Sequence, residues 1–551
     1  MISRGGHGKV IARIRANEEL SRRYRASGIW RRHGPLADLR KWRAETPHAA
    51  AIIAEEAGVS RVCLTYAEYE RMVERFAGAL TDLGIGRGDV VLIQLPSRWQ
   101  VPALMLACLR VGAIVAPVIP TIRPREVERM LRRLEVRVCV TIDCWEGFAH
   151  ADALAEMSDR LPHLQHRVIL GHARDDRGEL SFDEVFERSA TCADELDDDP
   201  DRAAMVLFTS GTTGAPKGVV HTANTLYAGI APVIDAEQLG QHDRFFTAAA
   251  LTHIVGAIYG YLLPLLTGGT AVIRDAWDPV NAAILLAETQ ATVYSGAPVF
   301  LRQLLSAIDT DSSGPLALRL VVSGATTIPR RLVDQTHRIL GLPLRTAWGM
   351  TEAAGHTWTR RDDPVDWGAY SDGSPGAGVE IDLRSQLEIT REQPGRLFVR
   401  GAGVCVATFG LDSDESRILA DHDDGWYDTG DLAVHDGRGG IRLMGRVTDR
   451  IGGTFMIPVT DVEAALLNHP GIADVALVGY PDGDGGELAC AYVVATPTAT
   501  VDLPMIRAYL NGIAMTGWYQ PSRVEVIGQL PRNGSGKVQK DVLRARLLDS
   551  Q

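Results

Sequence analysis

The chain has 551 residues, of which 46% are hydrophobic and 23% charged, and a formal net charge of −12. Such a chain is too long for one ordinary domain, has the make-up of a globular protein and lacks the basic balance of a general nucleic-acid binder. Its seven cysteines, at 63, 108, 139, 144, 192, 405 and 490, include no C-x-x-C pair, which argues against a zinc site and for free thiols in a reducing compartment.

The opening segment, "MISRGGHGKVIARIRANEELSRRYR", is basic but has no apolar core of the kind a signal peptide needs, so a cytoplasmic protein is expected. "LTYAEYERMVERFAGALTDLGI" (64–85) reads as an amphipathic helix. Thr65 and Glu68 have capping-box spacing, Tyr69, Met72, Val73, Phe76 and Leu80 share one face, and Gly84 closes the helix. "GDVVLIQLP" then supplies an apolar strand. The alternation continues as helix "VPALMLACLRVG", strand "AIVAPVIP", helix "PREVERMLRRL" and strand "VRVCVTI". It implies βαβ units around a buried parallel sheet, an α/β fold.

The acidic stretch "ADELDDDPD" (193–201) is read as a solvated loop. Residues 245–273 contain no Asp, Glu, Lys or Arg. His253, Pro264 and the Gly268-Gly269 pair interrupt them, so a buried helix-turn-strand is expected and an integral membrane segment is not. After residue 450 the texture becomes α+β. A helix near 460–468 precedes strands "ADVALVGY" and "ELACAYVVA", a helix near 503–513 and strand "SRVEVIG", enough for a small C-terminal domain.

"MVLFTSGTTGAPKGVVH" (205–221) carries the chemistry. Thr209, Ser210, Thr212, Thr213 and Lys217 can surround a polyphosphate, while Gly211, Gly214 and Gly218 let the backbone approach it. The Walker loop requires G-x-x-x-x-G-K-[ST]; here Pro216 stands five positions after Gly211, and the match fails. A Gly- and Thr-rich surface loop is the competing reading.

"TSGTTGAPKG" resembles the phosphate-binding signature of the adenylate-forming superfamily, which includes acyl-CoA synthetases, luciferases and peptide-synthetase adenylation domains. The resemblance continues in order through "VVSGATTIP" (321–329), "AWGMTE" (347–352), "GWYDTGD" (425–431), "GRVTD" (445–449) and "LPRNGSGK" (530–537). In finer features, such as "YRASGIW" and "NHPGIADVALVGYPD", the chain is similar to cyclohexanecarboxylate and medium-chain acid CoA ligases.

That resemblance implies a large N-terminal domain of layered mixed and parallel sheets, residues 1–446, and a small mobile lid, residues 447–551. It implies that ATP and Mg²⁺ activate a carboxylic acid as its adenylate, with CoA as the usual thiol acceptor. Thr209, Ser210, Gly211, Thr212, Thr213, Gly214 and Lys217 would hold the phosphates, Thr351 the α-phosphate, and Glu352 the metal. Ser323, Gly324 and Ala325 would border the adenine, with Trp348 and Gly349 beside it. Asp431 would accept the ribose hydroxyls, Arg446 would reach ribose or phosphate, and Lys537 would bridge the acid's carboxylate and the α-phosphate. His253, Gly256, Ala257 and Tyr261 would line the acyl pocket, whose small residues leave room for a broad alicyclic or fused-ring acid.

Two alternatives share these motifs: adenylation with a carrier protein or partner enzyme as acceptor, and a luciferase-like oxygenase. A non-catalytic nucleotide or acyl binder is a further alternative, which the presence of Glu352, Asp431 and Lys537 opposes. Thr448 occupies the hinge position, where relatives usually carry Lys or Asp. The loop after it, "TDRIGGTFMIP", is shorter than the related pattern, which leaves two readings: a harmless deletion, or an intact first half-reaction with a weaker, altered or delegated second one. The sequence does not reveal an oligomeric state.

Overall fold

The structure, a computed structural model, describes residues 11–56, 61–189, 198–210, 216–309, 314–326, 328–411, 416–419, 423–447, 451, 457, 459–481, 487–513, 515, 517–534 and 536–549. Among them the strands form two nine-stranded sheets, a four-stranded sheet, a three-stranded sheet and a two-stranded hairpin.

The expected capping box is present. Thr65 Oγ1 accepts the Glu68 N–H at 3.3 Å, Glu68 Oε2 accepts the Thr65 N–H at 2.9 Å, and helix α1 (Tyr66–Asp82) follows. Its buried face contains Tyr69, Val73, Phe76 and Leu80. The apolar strands Val90–Gln94, Ile114–Pro117 and Val138–Ile142 pair in parallel, with every residue buried, because helices cover both faces of the sheet.

The strands that carry the site lie further along. In chain order they are β1 (Ala203–Ser210), β2 (Pro216–Thr222), β3 (Leu320–Gly324), β4 (Leu344–Met350), β5 (Ala353–Trp358), β6 (Tyr427–His435) and β7 (Ile441–Arg446). Strands β1 and β2 are antiparallel in one large sheet; β3 runs parallel to β4 in the other, and β4 turns back into β5. Strands β6 and β7 belong to the four-stranded sheet. The charge-free run forms strand Arg244–Thr247, helical turns from Ile254 to Thr267 and strand Thr270–Arg274, all within the fold. Among the described residues no helix is long and apolar enough to cross a membrane.

The acidic stretch differs from expectation where it is described. Asp199 pairs with Arg15 at 3.0 Å and Arg87 at 3.6 Å, and Asp201 pairs with Arg25. These carboxylates tie the basic N-terminal segment to the start of β1. The described part of the charge run is thus both ion-paired and partly solvated, Asp199 being about as exposed as its partner Arg15.

Beyond residue 450 a separate core forms from Ile451, Val462, Leu466, Leu477, Ala491, Ile506 and Leu510. Strands Ile472–Pro481 and Glu487–Ala495 pair antiparallel, and Arg523–Val526 joins in parallel. Ile451 and Ile457 pair across the shortened loop, with the Ile457 N–H on the Ile451 carbonyl at 2.9 Å. Thr448 and residues 452–456 lie outside the described residues.

Candidate active site

Local backbone features put the signature side chains in place. Thr209 and Lys217 are direct cross-strand neighbours on β1 and β2. Thr209 Oγ1 is buried with no hydrogen-bond partner among the described residues, as a group reserved for a ligand would be. Gly211, Thr212, Thr213 and Gly214 lie outside the described residues, as does the Ser210 side chain.

The β4–β5 hairpin carries Thr351 and Glu352 at its turn, and its register shifts between Trp348 and Met350, a bulge that re-aims the side chains beside it. Glu352 is buried and forms an ion pair with Lys217. The Lys217 ammonium also donates to the Tyr427 hydroxyl at 2.7 Å, and that hydroxyl donates to Glu352 Oε1 at 3.1 Å.

Asp431 on β6 and Arg446 on β7 are cross-strand partners, and the Arg446 guanidinium meets Asp431 Oδ1 at 2.9 Å. Asp431 is 5% exposed, while the Arg446 side chain is part-exposed, so a buried carboxylate meets a guanidinium that reaches solvent. Trp348 is also buried, and its indole N–H donates to Asp431 Oδ2 at 3.0 Å. The ring therefore orients the carboxylate.

At the end of β3, a Cβ on Gly324 would stand 2.2 Å from the Ala347 carbonyl oxygen, so the strands approach there as only glycine permits. Ala325 has φ +74°, which L residues rarely adopt and which clusters at ligand clamps. The Ser323 hydroxyl donates to the Gly296 carbonyl at 2.9 Å, which ties β3 to the neighbouring strand.

Lys537 comes from the small C-terminal unit. Its N–H bonds Asn533 Oδ1 at 2.9 Å within a tight turn. Burial and the Arg446 charge push its ammonium below the usual lysine range, and Asp431 and Glu352 partly oppose them. Arg446, Asp431 and Glu352 therefore lie within electrostatic reach of Lys537. The turn seats against the large domain: a Cβ on Gly534 would come within 2.3 Å of Thr121 Oγ1.

His253 caps the short helix Ile254–Ala257, its Nδ1 accepting the Val255 N–H at 3.3 Å. That bond leaves Nε2–H as the free donor. Burial first, and the Lys537 charge second, lower its pKa to about 4, so the ring is neutral. Ala257 is fully buried. Gly256 serves close packing, since a Cβ there would strike the Ala250 carbonyl oxygen at 1.9 Å. Tyr261 faces an apolar cavity with Met105, Leu109, Leu226 and Ile230, near helix Gln100–Arg110.

Sequence reasoning overlooked two supporting residues inside motifs it had singled out. His221 ends the phosphate signature; its Nε2 donates to the Thr351 carbonyl at 2.6 Å, and its Nδ1 lies 2.9 Å from Thr225 Oγ1. Tyr427 lies inside "GWYDTGD". Both sit beside named ligands in sequence, and that adjacency was the available signal.

The sequence model described as AMP-binding enzyme matches residues 39–406, and that of the AMP-binding enzyme C-terminal domain matches residues 461–537. The chain belongs to the AMP-binding enzyme family. This AMP-binding enzyme is 30% identical over 538 residues to the medium-chain fatty-acid–CoA ligase of Escherichia coli strain K12, covering 97% of this chain and 94% of that one. It is 30% identical over 511 residues to a Mycobacterium tuberculosis ligase, 3-[(3aS,4S,7aS)-7a-methyl-1,5-dioxo-octahydro-1H-inden-4-yl]propanoyl:CoA ligase, covering 91% and 96%. In fold it is similar to an anthranilate CoA ligase solved with anthranoyl-AMP, at 21% identity and a TM-score of 0.83 over 95% of this chain and 99% of that one.

The residues present fit the groups such enzymes use. Among the described residues no three His, Cys, Asp or Glu side chains converge on a metal, and Glu352 stands as a single carboxylate. One carboxylate is what Mg²⁺ takes when substrate phosphates supply its other ligands. The singly engaged oxygens of Asp431 keep lone pairs for two hydroxyls.

Proposed function

We propose that this enzyme activates a hydrophobic carboxylic acid as its acyl-adenylate, releasing pyrophosphate from ATP, and then passes the acyl group to the thiol of CoA. The observation that carries the reading is that Lys537, from one end of the chain, lies within electrostatic reach of Asp431, Arg446, Glu352 and a neutral His253. Attack of a carboxylate on a phosphate joins two anions, and a buried cation offsets that charge.

Lys217 and Thr209 would hold the outer phosphates, and Asp431, braced by Trp348 and Arg446, would hold the ribose. Mg²⁺ on Glu352 would neutralise charge on the phosphates. Lys537 would bind the acid's carboxylate and the α-phosphate oxygen; one such donor aimed at developing charge contributes about 3 kcal/mol to the barrier. His253 Nε2–H would face the acyl carbonyl as a neutral donor. A cyclic or polycyclic acid is the proposed substrate class, since relatives at 30% identity include a ligase named for a fused-ring propanoate. Residues 446–449 would form the hinge, with Thr448 as pivot, about which the 447–551 unit withdraws Lys537 before the thiol enters.

The test is ATP–pyrophosphate exchange with linear, alicyclic and fused-ring acids, followed by a CoA-thioester assay on those accepted. Exchange and thioester with a ring acid are expected, and Lys537→Ala should abolish exchange while ATP still binds. No exchange with any acid would overturn the reading; exchange without thioester would move the acceptor to a carrier protein or partner enzyme.

A further inference from the structure

Tyr427 links the two charged groups on which nucleotide binding depends. Its hydroxyl accepts from the Lys217 ammonium at 2.7 Å and donates to Glu352 Oε1 at 3.1 Å, while Lys217 and Glu352 also pair directly. Lys217 lies over the edge of the Tyr427 ring, 5.5 Å from its centroid. A phenol hydroxyl is protonated at neutral pH and can accept one hydrogen bond while donating another.

The pair raises a difficulty for the adenylation reading, and the role assigned to Tyr427 rests on that reading. A buried ammonium and carboxylate satisfy each other, and removing either partner leaves the other uncompensated. With Lys217 on Glu352, neither is free for its proposed ligand. Turning Lys217 alone to a phosphate would leave a bare carboxylate beside an anion, and metal on Glu352 alone would face an adjacent ammonium. The exchange of partners is favourable only when metal and nucleotide arrive together.

We propose that Tyr427 is the positioning residue for this exchange: its neutral hydroxyl holds Lys217 and Glu352 in register while the ion pair gives way to metal-bound ATP. The hydroxyl remains an acceptor for Lys217 and a donor to Glu352 in both arrangements. Without it, Lys217 and Glu352 keep only each other as partners, and each must leave the pair with no second hydrogen bond to hold it in place.

The test measures binding of ATP with and without MgCl₂, and of adenosine, to wild type, Tyr427→Phe and Lys217→Met by calorimetry, beside steady-state KM and kcat. Hydrogen bonds to charged groups are worth enough to predict about a tenfold loss of Mg·ATP affinity in Tyr427→Phe. Adenosine affinity and the KM for the acid should stay within about twofold, a split that a merely structural role would not produce. In the Lys217→Met background the phenylalanine change should add less than about twofold, because residues acting through one contact are not additive. Wild-type affinity for Mg·ATP in Tyr427→Phe, an equal loss for every ligand, or full additivity in the double variant would each overturn the proposal. A wild-type enzyme that binds no nucleotide would overturn the adenylation reading itself, and so the two failures are distinguishable.

Discussion

Trp348 donates its indole N–H to Asp431 Oδ2 at 3.0 Å, on the opposite oxygen from the one Arg446 holds at 2.9 Å. The two donors fix the plane of a buried carboxylate, and they oppose the burial that raises its proton affinity. Trp348→Phe keeps the ring and removes one donor to a charged group. The KM for ATP should rise about tenfold while the KM for the acid holds. Initial rates of pyrophosphate exchange against ATP concentration would decide it, and an unchanged KM for ATP would refute the bracing role.

That contact also marks where legibility stopped. The parallel strands 90–94, 114–117 and 138–142 and the Thr65–Glu68 cap follow from local pattern, because neighbours in sequence produce them. Each signature likewise announces its own residues. The side-chain bonds between signatures are another matter: Trp348 and Asp431 are 83 positions apart, and Lys217 and Tyr427 are 210 apart. Only tertiary packing joins them, and it assigned the Trp348 ring to Asp431. Ser323 and Gly256 have contacts that are illegible for a related reason. A small polar or missing side chain looks the same in sequence whether it serves a ligand or a neighbouring backbone carbonyl, and here both serve carbonyls.

Lys537 should impose an alkaline limb on adenylation. Its folded pKa lies below 10.5, so the ammonium is lost at a lower pH than in free lysine, and the exchange rate should fall as pH rises through that point. Lys537→Arg keeps its charge throughout and should lose the limb, at a reduced rate. His253, lowered to about 4, should contribute no limb between pH 5 and pH 8. A pH–rate profile of exchange for both proteins tests this; an identical alkaline limb in the arginine variant would remove Lys537 from the step.

Gly534 should separate the two half-reactions. Its Cβ position falls 2.3 Å from Thr121 Oγ1 and 2.9 Å from Ile119 Cδ1, inside the distance any real side chain keeps. Gly534→Ala should therefore hold the lysine turn off the large domain and lower exchange at least about tenfold. Thioester formation from supplied acyl-adenylate, which needs the lysine withdrawn, should be spared. Equal losses in the two assays would show that this contact is not specific to adenylation.

His356 makes stability depend on pH in a defined window. The ring is fully buried, Nδ1 donates to the Ala354 carbonyl at 3.3 Å, and Nε2 has no hydrogen-bond partner among the described residues. Burial, aided by nearby His221, lowers its pKa to about 4 from 6.5. Between those values the unfolded chain takes up a proton that the folded ring refuses, so its contribution is complete above pH 6.5 and declines as pH falls toward 4. From pH 7 to pH 5 the loss from this one group is about 2 kcal/mol. His356→Gln should be less stable than wild type at pH 7, because it disturbs a packed site beside Trp348, yet it lacks the titrating ring. Urea unfolding at the two pH values should show the gap between the proteins narrowing by about 2 kcal/mol at pH 5. A gap that stays constant would mean that the buried ring is already protonated in the fold, or that another group carries the acid sensitivity.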